Sequence, residues 1–120
     1  MANMSQLPPN VQERIQRLQQ LQNTLQQLLI QKQRLELEMN ESKRALTTLN
    51  DITGDAKVYR SVGPILVEKE KDKVIKELTD RTDFLDMRSG VLEKQEQKTR
   101  GRIKELQETL QKELNIAGIS

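Results

Sequence analysis

The 120-residue chain is 32% charged and only 2% aromatic, with 20 basic and 18 acidic side chains and no histidine or cysteine. Tyr59 and Phe84 are its only aromatics, too little bulk for a conventional core but enough for a helical pair that buries just a seam. The missing His and Cys exclude disulfides, thiolate chemistry and the usual zinc sites, and the small, well-mixed charge gives no electrostatic case for nucleic acid.

Residues 1–10 form a weakly specified lead-in. Pro8 and Pro9 suit a helix start, because proline lacks only an amide that has no partner there. Asn10 with Glu13 also resembles a capping box. Either start predicts a helix over about 9–52. Its heptad a sites are Val11, Leu18, Leu25, Lys32, Met39 and Leu46, and its d sites are Arg14, Leu21, Leu28, Leu35, Ser42 and Leu49. Mostly apolar a and d sites mark a coiled coil. The glutamine richness of this stretch admits a prion-like reading, but the leucines keep helical period throughout. Gly54 suits a left-handed position just past the helix end.

Val58-Tyr59-Arg60-Ser61-Val62-Gly63-Pro64-Ile65-Leu66-Val67-Glu68 follows. Two short β-forming runs around Gly-Pro predict a hairpin over about 57–69. Val58, Arg60 and Val62 then share one face with Ile65, Val67 and Lys69. Tyr59 and Ser61 share the other with Leu66 and Glu68. Apolar groups on both faces, in a hairpin too small to stand alone in water, predict strand pairing with other chains.

Asp72 is a plausible N-cap for a second helix over about 72–116. Its seam runs Ile75, Leu78, Thr82, Leu85, Ser89, Leu92, Glu96, Thr99, Ile103, Leu106, Leu110 and Glu113, with Gly118 placed to cap the end. Folding the chain at the hairpin sets Leu49 opposite Ile75, Leu46 opposite Leu78, Met39 opposite Leu85, Leu21 opposite Ile103 and Leu18 opposite Leu106. Every a site meets a d site, as an antiparallel pair requires. Ser42 falls opposite Thr82, and Lys32 one layer from Glu96. The predicted fold is mainly α: a single domain over 1–120, an antiparallel two-helix coiled coil of roughly 60 Å joined by a hairpin. Both ends of the chain are expected at the far tip.

No catalytic constellation is present: there is no glycine-rich phosphate loop and no nucleophile with a base. Exposed helical carboxylates are solvation or i,i+4 partners unless something desolvates them. Lys98, Arg100, Arg102 and Lys104 spread around the helix among glutamates and read as a solvated face. The chain is therefore expected to be no enzyme and to carry no cofactor or metal. No apolar run suits a signal peptide or a membrane span, which predicts a cytoplasmic protein without membrane contact. Lys32 at an a site has two readings, an ammonium reaching to water or a register-setting partner of Glu96. At the open tip Met4, Leu7, Val11, Ile15 and Leu18 gather with Leu110, Leu114, Ile116 and Ile119. They either close the coiled coil or form an apolar binding surface on a fraying end.

The bend VYRSVGPILVEKEKDKV and the opening PPNVQ…LQQLQ, set between heptad arms, resemble the β-type subunits of prefoldin, the archaeal form above all. The resemblance covers essentially the whole chain. It implies a hexamer of two α-type and four β-type chains whose hairpins form an intersubunit β-barrel platform. Val58, Tyr59, Val62, Gly63, Ile65, Leu66 and Val67 would build that platform. The coiled-coil tips would hold unfolded proteins and pass them to a group II chaperonin without ATP. The alternative reading is a structural coiled-coil protein that tethers fixed partners.

Overall fold

The computed structural model describes residues 6–116. Helix α1 spans Pro9–Asp51, strand β1 Val58–Val62, strand β2 Ile65–Lys69, and helix α2 Lys71–Ile116. By contacts the chain falls into two compact units. One joins the chain up to Lys32 with the chain from Leu92 onward; the other is Gln33–Val91.

In Gln33–Val91 the buried seam consists of Leu35, Ser42 and Leu49 from α1 with Leu85 from α2. The seven-residue spacing on α1 is the predicted heptad, because that spacing keeps one stripe facing the partner helix. In the other unit Val11, Leu92, Thr99 and Leu110 are buried, and Leu18, Leu21, Leu25, Leu28, Ile103 and Leu106 are half-buried. No large side chain among the described residues is completely buried, as expected where a seam replaces a core. Thr99 resolves its own polarity by donating its hydroxyl to the Gln95 carbonyl, 2.8 Å away; Thr82 donates likewise to Leu78 at 2.8 Å.

Of the two predicted starts for α1, the proline start is the one adopted. The N–H groups of Val11 and Gln12 both donate to the Pro8 carbonyl at 3.0 Å, and the Gln12 side-chain amide donates to the Leu7 carbonyl at 2.8 Å. Two other helix ends differ from expectation. Gly54 does not take the left-handed conformation; among the described residues only Gly63 has positive φ. The chain leaves α1 through a tight turn, with the Ile52 N–H donating to the Leu49 carbonyl, and the Lys71 ammonium, not a glycine cap, donates to the Ile52 carbonyl at 2.7 Å. Nor is Asp72 the N-cap. Helix α2 begins at Lys71, with the Val74 N–H donating to the Glu70 carbonyl at 3.1 Å, so Asp72 lies in the first turn. Its carboxylate still favours the positive end of the helix there. Gly118, Met4 and Ile119 lie outside the described residues.

The hairpin has the predicted register: Val58 opposite Lys69, Tyr59 opposite Glu68, Arg60 opposite Val67, Ser61 opposite Leu66 and Val62 opposite Ile65. Gly63, at φ 56°, supplies the positive angle that a two-residue turn needs at its first position, and Pro64 the fixed negative one.

Gly90 and Gly101 sit inside α2, and a methyl group added at either meets no atom within 4 Å. Gly90→Ala and Gly101→Ala should each stabilise the protein by about 1 kcal/mol, since alanine loses less backbone entropy and crowds nothing here. Chemical denaturation checks this: a midpoint that stays or falls for both variants contradicts it.

Candidate functional site

Two surfaces stand out, one in each unit. In Gln33–Val91 it is the hairpin. Val58 is buried at its base, where it lines a recess with Leu49, Val74 and Leu78. The Arg60 guanidinium pairs with Glu77 on α2, so the strand is tied to the helix by charge as well as packing. Towards the turn the apolar side chains face solvent. Val62 is 49% exposed, Ile65 58% and Leu66 70%, with Tyr59 at 53% beside them. Val67 is half-buried. Among the described residues the sheet consists of β1 and β2, and both of its outer edges are unpaired. Open backbone groups plus exposed β-branched side chains form a template for further strands.

The second surface lies where the ends of α1 and α2 meet. The structure divides the apolar residues expected there. Val11 and Leu110 are buried and close the helix pair. Leu7, Ile15, Leu18 and Leu114 are half-buried, and Ile116 stands 87% exposed. Arg14, at a nominal seam position, pairs with Glu113 across the two helices and so turns a polar heptad site into a cross-link. A partly dry, partly open apolar patch is thus held by one ion pair and two buried side chains.

Further along the same unit, Lys32 is anchored between helices. Its ammonium lies 3.0 Å from a Glu93 carboxylate oxygen and 3.4 Å from one of Glu96, while Arg100 binds Glu96 at 3.1 Å. The expected Lys32–Glu96 pair therefore exists as part of a four-residue network. Hydrogen bonding to Glu93, then to Glu96, raises the Lys32 pKa above the ordinary lysine value. Hydrogen bonding from Arg100 is the main cause that lowers the Glu96 pKa, against an opposing effect of burial and with help from Lys32. The raised lysine value means a contribution to stability that is complete below the unfolded lysine pKa and lost as pH rises through the folded one. The lowered glutamate value means a contribution present above the unfolded carboxylate pKa and lost as pH falls through the folded one. The difference in melting temperature between the parent and Lys32→Gln should be constant near neutral pH and shrink on the alkaline side. A difference that holds through the lysine range would show that the charge on Lys32 plays no part.

Lys98, Arg100, Arg102 and Lys104 are all exposed. Among the described residues no group of His, Cys, Asp or Glu is placed to hold a metal ion. No described helix is long and apolar enough to cross a membrane. One feature escaped the sequence reading. Phe84, Met87 and Val91 are exposed on α2 at 44%, 61% and 51%. Their i, i+3, i+7 spacing was visible, but attention to the best-populated seam passes over a shorter stripe on another face of the same helix.

A hairpin with solvent-facing apolar strands, inserted between two helices that pair through a heptad seam, defines a coiled-coil subunit made to assemble through its strands. The family model for "Prefoldin subunit" matches residues 12–116, and the chain belongs to that family. It is 38% identical over 112 residues to the prefoldin subunit beta of Pyrobaculum islandicum, covering 93% of this chain and 90% of the relative. It is 40% identical over 108 residues to the prefoldin subunit beta of Archaeoglobus fulgidus, covering 90% and 93%. The crystal structure of the prefoldin beta subunit from Thermococcus strain KS-1 superposes with a TM-score of 0.81 at 38% identity, covering 93% of this chain and 96% of that one. The chain thus has the fold of a prefoldin beta subunit and the chaperone role of its family.

Proposed function

We propose that this protein is the β-type subunit of an ATP-independent holdase, a cytoplasmic hexamer of two α-type and four β-type chains with no enzymatic activity of its own. Val58, Tyr59, Val62, Gly63, Ile65, Leu66 and Val67 build the shared β-barrel platform. Leu7, Ile15, Leu18, Leu114 and Ile116, over the closed pair Val11 and Leu110, hold unfolded proteins that are passed on to a group II chaperonin; Met4 and Ile119 belong to the same proposed set. The observation that carries the reading is the hairpin with Ile65 58% and Leu66 70% exposed, a cost in water that pairing with further strands relieves. Exposed Ile116 supports the client role, because several weak apolar contacts acting together suit polypeptides of no fixed shape. The test is mass determination with and without an α-type subunit. A six-chain complex containing two α-type chains is expected; an unchanged mass on mixing contradicts the assembly.

A further inference from the structure

Arg14 and Glu113 put charge where the helix pair calls for apolar side chains. Arg14 occupies a d site of α1 and Glu113 a seam site of α2, and they pair across the two helices with side chains 36% and 22% exposed. Replacing a partly buried ion pair by well-packed apolar side chains is often neutral or stabilising, so closing the helices does not by itself require charge here. The place of the pair supplies the reason. Arg14 lies one turn from buried Val11 and next to half-buried Ile15; Glu113 lies one turn from buried Leu110 and next to half-buried Leu114. Arg14 also lines a recess with Leu21 and Leu106.

The two buried side chains complete the more open set around them. Leu7, Val11, Ile15 and Leu18 recur at three- and four-residue spacing on α1 and its lead-in, as Leu106, Leu110 and Leu114 do on α2, so each set forms one stripe. Val11 and Leu110 are the members that solvent does not reach. Among the described residues the next ion pair between the helices of this unit is at Lys32, where the unit ends. A partly exposed ion pair is weak and is screened by salt, so it parts more readily than packed leucines would.

We propose that the Arg14–Glu113 pair is a clasp on the client surface: closed, it keeps Val11 and Leu110 within the helix pair; parted, it yields them to an apolar segment of unfolded polypeptide. The clasp rests on the holdase reading and adds to it how that surface is regulated. Arg14 and Glu113 are positioning residues, and Val11 and Leu110 make the added contacts. Because the client binds the open end, its apparent affinity rises with the fraction of ends that are open.

The experiment uses the assembled chaperone and an uncharged fluorescent peptide of alternating leucine and serine, so that the change in charge acts through the pair and not on the ligand. Fluorescence anisotropy gives the affinity, and amide hydrogen exchange over residues 11–18 and 106–114 reports opening. Three variants are compared with the parent: Arg14→Gln, the exchange Arg14→Glu with Glu113→Arg, and Leu114→Ser with Ile116→Ser. Arg14→Gln should speed amide exchange and tighten peptide binding by about two- to fivefold, the range that a partly exposed ion pair can supply. The charge exchange should return both readings to those of the parent. The gap between Arg14→Gln and the parent should narrow as sodium chloride rises, because screening weakens the pair in the parent alone. Faster exchange with unchanged or weaker binding overturns the clasp and leaves the pair a plain structural contact. So does unchanged exchange, tighter binding that the charge exchange fails to reverse, or a gap that salt leaves as it was. In each of these cases loss of binding in the Leu114→Ser, Ile116→Ser variant keeps the holdase reading standing. A peptide that the parent does not bind, or that this last variant binds as well as the parent, overturns both.

Discussion

Replacing Leu7, Ile15, Leu114 and Ile116 with serine should leave an assembled protein that no longer protects a denatured client from aggregation. These four side chains are half-buried or exposed, whereas Val11 and Leu110 are buried and are left untouched so that the helix pair still closes. Full burial of one such side chain is worth about 1.5–3 kcal/mol, and contact on a wet surface a fraction of that. A loss of about 1 kcal/mol per arm compounds over several arms into a drop of about a hundredfold or more in client avidity. The hairpin belongs to the other compact unit, so the mass of the complex should not change. Light scattering of a refolding client reads protection, with circular dichroism as the control for helix. Full protection at the parent's molar ratio, by a variant of normal mass, would place client binding elsewhere.

The second large effect is expected at the hairpin. Val62→Glu, Ile65→Glu and Leu66→Glu put charge on three side chains that are 49%, 58% and 70% exposed in the single chain. The chain alone should tolerate these changes, because glutamate at an exposed position is solvated. In an assembly each would remove about 1.5–3 kcal/mol of apolar burial and add the cost of desolvating a carboxylate. Sedimentation should therefore show dissociation to small species with helicity retained. Val67 is half-buried and Val58 buried, so they are poor choices for this purpose. An assembly of parental mass would remove the hairpin from the interface.

Sequence carried the hairpin and the seam because both rest on period. Alternation of two with Gly63-Pro64 between the strands leaves one register in which Val62 faces Ile65, and that register is observed. Heptad spacing likewise placed Leu35, Ser42 and Leu49 on one buried stripe. Helix ends were less legible, since their partners come from distant residues. The Ile52 carbonyl is satisfied by Lys71, nineteen positions away, which no local signal at Gly54 could reveal. At the meeting ends of α1 and α2 the same residue types were expected together, but which are buried depends on the cross-helix pair Arg14–Glu113 and on how far α2 continues. The stripe at Phe84, Met87 and Val91 lay in plain view and was missed for a different reason. A heptad assignment keeps the face with the most leucines, and a face carrying one turn of apolar residues among charges scores as solvent.

The central claim is that the assembled protein holds unfolded polypeptide without nucleotide. Its most direct test is aggregation of a chemically denatured client on dilution, followed by light scattering, with the complex of this chain and an α-type subunit present at increasing molar ratio and no ATP. Scattering should fall to near zero at a few complexes or fewer per client and should be unaffected by adding ATP. Scattering that stays at the level of the client alone, or that falls only when ATP is supplied, would contradict the account.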